Sequence, residues 1–185
     1  MTTSAIVASG TSSALRARVV ASNAASEAFF SEQGAGIARA CQLMAVRFQA
    51  GGRLLVHAGE ARASDVSHAV VEFMHPVVVG KRALPALRLG ALSQLAVLAC
   101  HGDMLLLLAD GALGDAERRV LPEAAAAGIL TVALVGGSGV TPHASPVYLE
   151  FAVRSADPCV VQEVHEMLYH VLWELVHVFV DHGVA

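Results

Sequence analysis

Two stretches of this sequence carry residue types whose spacing could move a proton or hold a cation. Asp65, His68 and Glu72 are spaced three and four apart, so on a helix they share one face. An imidazole and a carboxylate converging there can bind a divalent metal or exchange a proton with a substrate. Near the carboxyl end, Gln162, His165, Glu166, His170 and Glu174 recur at helical spacing among Met167, Leu168, Val171, Leu172 and Trp173. A lone histidine on an apolar helix is ordinarily a hydrogen-bonded core residue. Two helices of this kind in 185 residues weaken that ordinary reading, but spacing alone does not bring them together.

The elements that must position these residues follow from apolar pattern and turn signals. Arg53 to Phe73 reads as a buried strand at Leu54-Leu55-Val56, a turn, and a helix over 64–75 that stops before Pro76. Further strands are expected at 86–89, 92–98, 104–108, 129–134 and 146–151, with helices at 115–127 and from Pro158 to about His182. Ahead of them, two helices are expected, one capped at Ser12 or Ser13 and running to about Phe30, the other from Ile37 to Gln49. Gly34 and Gly36 would separate them. Strands apolar on both faces and alternating with helices mean an α/β chain: a three-layer, doubly wound parallel sheet with an N-terminal helical extension. Ligands bind beyond the carboxyl ends of such strands, which marks turns 57–64, 109–114 and 135–141.

Composition narrows the class. Apolar residues make up 55%, charged residues 15% and aromatic residues 5%, and the net charge is −4. That excludes disorder, a polyanion partner and an aromatic platform for single-stranded nucleic acid. No run is apolar for long enough to cross a bilayer and no targeting segment is apparent, so a cytoplasmic protein is expected. Cys41, Cys100 and Cys159 form no CxxC pair and read as three buried thiols. Lys81 and Arg82 read as solvated charges. The first turn holds no GxGxxG, which argues against a dinucleotide site.

Gly52–Phe73 and Val161–Leu175 together resemble the sugar isomerase (SIS) fold, in particular the sedoheptulose-7-phosphate, or phosphoheptose, isomerases. Asp65-Val66-Ser67-His68-Ala69-Val70-Val71-Glu72 matches that family's Asp-x-x-His-x-x-x-Glu. Gln162-Glu163-Val164-His165, with His170 eight residues after Gln162, matches its last helix. The resemblance implies a single SIS domain over 1–185, with the helices of 1–50 used in oligomerisation, and a homo-oligomer, usually a tetramer. It implies a divalent metal, commonly zinc, held by His68, Glu72, Gln162 and His170. Glu72 and His170 would be the acid/base pair of an aldose–ketose isomerisation. Arg62, Asp65 and Ser138 are the expected substrate contacts.

The departures from the family lie in the turns. Its Gly-Asn-Gly-Gly-Ser phosphate turn is replaced by Ala58-Gly59-Glu60-Ala61-Arg62, and its hydroxyl-bearing second turn by Ala109-Asp110-Gly111-Ala112-Leu113. Arg62 could pair with an anion, while Asp110 would repel phosphate. Two functions therefore stand: a metal-assisted isomerase of a sugar phosphate or related sugar, or a non-catalytic SIS protein, for example one serving metalloenzyme maturation. The stretch from His75 to Leu87 resembles SIS proteins associated with actinobacterial nickel–iron hydrogenases, which suits the second reading.

Overall fold

In the computed structural model the described residues are 3–76 and 78–183, with side chains described from residue 12 onward. The chain runs α1 (Thr3–Gln49), β1 (Leu54–Ala58), α2 (Ala63–Met74), β2 (Ala86–Arg88), α3 (Leu95–Leu98) and β3 (Met104–Leu108). It continues α4 (Asp115–Ala126), β4 (Leu130–Gly136), β5 (His143–Ala144), β6 (Tyr148–Val153) and α5 (Pro158–His182). The sheet order is β2-β1-β3-β4-β6-β5. The first five strands in that order pair in parallel, and β5 joins β6 antiparallel.

Alternation along the strands builds two cores. Leu54, Val56, Met104, Leu106, Leu108, Leu130, Val132 and Leu134 face α1, α2 and α5. Leu55, Leu105, Leu107, Ala133 and Val135 face α4 and the segment around Leu95. Helices on both faces of a mostly parallel sheet are the three-layer α/β arrangement expected from the sequence. Every residue of β3 and β4 is buried, as strands covered on both sides must be.

Three local expectations are corrected. The N-terminal region is one helix of 47 residues, not two. A glycine inside a helix costs about 1 kcal/mol relative to alanine. Burial of Ile37, Ala40, Cys41, Met44, Ala45 and Phe48 outweighs that, at roughly 1.5–3 kcal/mol for each large side chain. Gly36 also permits close approach to β6: a Cβ there would lie 3.2 Å from the Phe151 ring. Beside it, the Gln33 amide exchanges two 3.0 Å hydrogen bonds with the backbone of Ala152. Ser12 and Ser13 lie inside this helix and cap nothing.

The segment 92–98 is not a strand but a 3-10 turn (Leu92–Gln94) followed by α3. Gln94 accepts from the backbone N–H groups of Gly90 and Ala91, which nucleates the turn. Val97 and Leu98 stay exposed, so no sheet burial rewards an extended chain there. Of the three cysteines only Cys41 is buried; Cys100 and Cys159 are exposed. Burial pushes the Cys41 thiol up to about 12. Among the described residues no helix is long and apolar enough to cross a membrane.

Candidate active site

Helix α2 starts directly after the turn that leaves β1, and α5 packs along it. Their contacts run in step: Gln162 meets Asp65, and Tyr169 and His170 meet His68. Each helix supplies one polar seam to an otherwise apolar interface, so the two separated motifs of the sequence become one site. It divides into two groups of residues.

The first group comprises His68, Glu72, His170 and Tyr169. His68 Nε2 lies 3.4 Å from Glu72 Oε1 and 3.2 Å from His170 Nε2, and His170 Nε2 lies 3.5 Å from the same carboxylate oxygen. The two imidazoles are about half exposed and Glu72 is more sheltered, so one side of the trio stays open. These three can hold a metal ion. Zinc ligated at about 2.0–2.1 Å in a tetrahedron holds its donors about 3.3 Å apart, and the three separations here match that edge. Two imidazoles and a carboxylate with one open side form a donor set suited to a catalytic metal.

Tyr169 was not singled out by spacing. Its hydroxyl lies 2.9 Å from His68 Nδ1. Burial holds the phenol well above its ordinary range, so it stays protonated. With Nε2 of His68 free for a metal, Nδ1–H donates to the Tyr169 oxygen, and this fixes tautomer and ring plane together. The only signal for Tyr169 in the sequence was a polar aromatic next to His170 in an apolar run.

The second group lies toward the strand ends. Arg62 ends the 3-10 turn Glu60–Arg62 and is buried. Its Nε donates to Asp65 and its Nη1 to Asp110, while its Nη2 faces His165 Nδ1 at 3.4 Å. His165 is fully buried and its Nε2 donates to the Val135 carbonyl at 3.2 Å. Burial, reinforced by the neighbouring Arg62 cation, pushes the imidazole down to about 4. It is therefore neutral, with the Nδ1 lone pair turned to the guanidinium. Gln162 Nε2 donates to Asp65 Oδ1 at 2.9 Å.

The ligand-facing turns expected after β1 and β3 thus meet through Arg62 and Asp110, and the end of β4 joins through Val135. Of the four expected metal ligands, His68, Glu72 and His170 converge, while the Gln162 amide is held on Asp65. Of the expected substrate contacts, Arg62 and Asp65 are paired with each other. Ser138 is exposed in the turn after β4 and bonds to neither group among the described residues. Lys81 pairs with Asp181 of α5 at 2.5 Å, which makes it a clasp between the α2–β2 connection and the last helix.

The phosphoheptose isomerase of Synechocystis sp. is 30% identical to this chain over 152 residues, covering 72% of this chain and 78% of that protein. This chain belongs to the phosphoheptose isomerase family. No family model matches it. Among solved structures, a phosphoheptose isomerase from Francisella tularensis superposes with a TM-score of 0.70 at 22% identity, over 96% of this chain and 100% of the other. One from Neisseria gonorrhoeae gives 0.74 at 17% identity, over 89% and 97%. At those identities the superpositions establish the shared SIS fold. As the phosphoheptose isomerase resemblance implied, the chain's relatives are isomerases, which places it in an enzyme family.

Proposed function

We propose that this protein is a metal-assisted aldose–ketose isomerase acting on a sugar or sugar derivative. The observation that carries the reading is the convergence of His68, Glu72 and His170, from two helices, at donor separations of 3.2–3.5 Å. The metal would be held by these three, and when bound it would polarise the substrate carbonyl and steady the negative charge that develops on its oxygen. The protein's own groups supply the proton transfers. Moving a carbonyl between neighbouring carbons requires a proton to leave one carbon and arrive on the next, with a hydroxyl proton passing in the same direction from the first carbon's oxygen to the second's. Glu72 is sheltered enough to act as the carbon base, and His170 is placed to exchange the proton at oxygen.

We also propose that the chain works as a homo-oligomer. Leu15, Val19 and Val20 of α1 and Met167 and Val178 of α5 are exposed apolar residues on its two longest helices. A second copy of the chain would cover them. Light scattering behind a sizing column tests this, and a monomer at micromolar concentration would count against it.

The test of the isomerase reading is interconversion of a ketoheptose and its aldose partner by protein stripped of metal and then reloaded with zinc. Zinc should restore activity, and Glu72→Gln should lower kcat by about 10²–10⁴-fold. Activity indifferent to both chelation and Glu72→Gln would sink the reading. Metal binding without turnover would return the protein to the accessory role.

A further inference from the structure

In doubly wound proteins anions gather where strand ends meet helix N-termini, because free backbone N–H groups and the helix dipole favour negative charge there. In this chain that place is filled from within. Asp65 sits in the first turn of α2 with its side chain only 3% exposed, and Asp110 reaches it from the turn after β3. Arg62 lies between them. Each nitrogen of its guanidinium has a partner: Asp65, Asp110 or the neutral His165 ring. The second oxygen of Asp65 accepts from Gln162 at 2.9 Å and from Ser64 at 3.3 Å.

The charge balance is unfavourable for an anion. One guanidinium stands against two carboxylates, and the exposed Glu60 in the same turn adds another. A phosphate dianion entering here would have to displace Asp110 from Arg62 and then sit beside the buried Asp65. A hydroxyl-rich neutral ligand meets no such obstacle. Asp110 is 40% exposed, and a carboxylate has lone pairs left to accept from hydroxyls after one bond to arginine.

We propose that the site takes a polyhydroxy aldehyde or ketone without a phosphate group, and that the Asp110–Arg62–Asp65 ion pairs close the position a phosphate would occupy. This rests on the isomerase reading and narrows its substrate class. The relatives' name, phosphoheptose isomerase, specifies a phosphorylated sugar, so the proposal separates this chain from them in specificity.

The experiment uses the full-length, zinc-loaded protein with a ketoheptose, the same ketoheptose bearing a terminal phosphate, and inorganic phosphate alone. Expected are a kcat/KM that favours the unphosphorylated sugar by about tenfold or more, and no competition by millimolar inorganic phosphate. Asp110→Ser, which frees Nη1 of Arg62, should make inorganic phosphate a competitor and lower KM for the phosphorylated sugar by about tenfold. Asp110→Asn removes the charge with little change of shape, and should move both readouts the same way if the serine variant does not fold. Preference of the unaltered protein for the phosphorylated sugar, or inhibition of it by inorganic phosphate, overturns this inference and leaves the isomerase reading intact. Turnover of neither sugar overturns both.

Discussion

The paired strands β1 and β3 carry an arginine–aspartate centre at each end, and the two centres are built oppositely. At the amino ends, Arg53 precedes β1 and Asp103 precedes β3. Arg53 Nη2 lies 2.6 Å from Asp103 Oδ2. The carboxylate also accepts from the backbone N–H groups of Arg53 at 2.8 Å and Cys100 at 2.9 Å. Arg47, at the end of α1, adds bonds to the carbonyls of Asp103 and Gly128 at 3.2 and 2.8 Å. This end has two guanidiniums to one carboxylate, and it ties α1 and two loops to the sheet. At the carboxyl ends, one guanidinium serves two carboxylates, and the remaining partners are the side chains of His165 and Gln162 from α5 and Ser64 from α2. The first centre bonds mainly to backbone, so it holds the fold. The second bonds to side chains beside His68, Glu72 and His170, and on the specificity proposed above it would set what the site accepts. The same residue types at two ends of the same strands thus do different work because their partners differ.

The sharpest way to break this comparison is Asp103→Ala. It leaves the backbone N–H groups of Arg53 and Cys100 without their acceptor and the Arg53 guanidinium with only the Leu98 carbonyl and solvent, and should cost about 3–5 kcal/mol of stability. Chemical denaturation measures the loss. The zinc affinity and KM of the folded fraction should be unchanged; a shift in either would mean that the two ends are coupled.

Acid should separate the two ends. Burial and the Arg62 cation, the latter partly offset by Asp110 and Asp65, depress the His165 pKa from 6.5 to about 4. Between those values the unfolded chain binds more protons than the folded one, so stability rises with pH there. The contribution is fully present above pH 6.5 and is lost as pH falls toward about 4, by up to roughly 3 kcal/mol. Burial works to raise the Asp103 pKa, but its hydrogen bonds from Arg53 and Cys100 prevail and depress it below 3.8. Its contribution persists until pH falls through that lowered value. His165→Gln keeps a donor for the Val135 carbonyl and should flatten the stability profile between pH 6.5 and 4 without altering the loss at lower pH. An unchanged profile would show that His165 is not the titrating group.

How much of this was legible in the sequence depended on whether the cause was local. The bounds of β3 and α5 were readable because their signals are local: an apolar run between turns for β3, and Pro158 behind the Asp157 cap for α5. The face shared by His68 and Glu72 followed from helical period alone. The single α1 helix was not legible, because what tolerates Gly36 is Phe151, more than a hundred residues away. Nor was the Arg62–Asp110 pair, which joins two turns 48 residues apart. Read separately, Arg62 looked like an anion receptor and Asp110 like a repellent, but in the fold each satisfies the other. Local spacing showed which residues could act, while the tertiary pairing showed which of them were already engaged.

The mildest test concerns Tyr169, where the functional end meets the core. The ring is buried at the α2–α5 seam, and its hydroxyl reaches His68 Nδ1 at 2.9 Å. Tyr169→Phe keeps the ring and removes only that oxygen, so the packing penalty is small. What is lost is the partner that holds the His68 proton on Nδ1 and leaves Nε2 facing Glu72 and His170. Loss of such a partner behind a metal-binding histidine typically weakens the metal by about 10–100-fold. Zinc affinity measured by competition with a coloured chelator should fall within that range, while thermal stability of the metal-free protein should move by less than about 1 kcal/mol. The reverse result, unchanged zinc affinity with a large loss of stability, would make Tyr169 a core residue whose hydroxyl merely found a neighbour. It would also shift the boundary between the structural and functional parts of the α2–α5 seam from Tyr169 to His68.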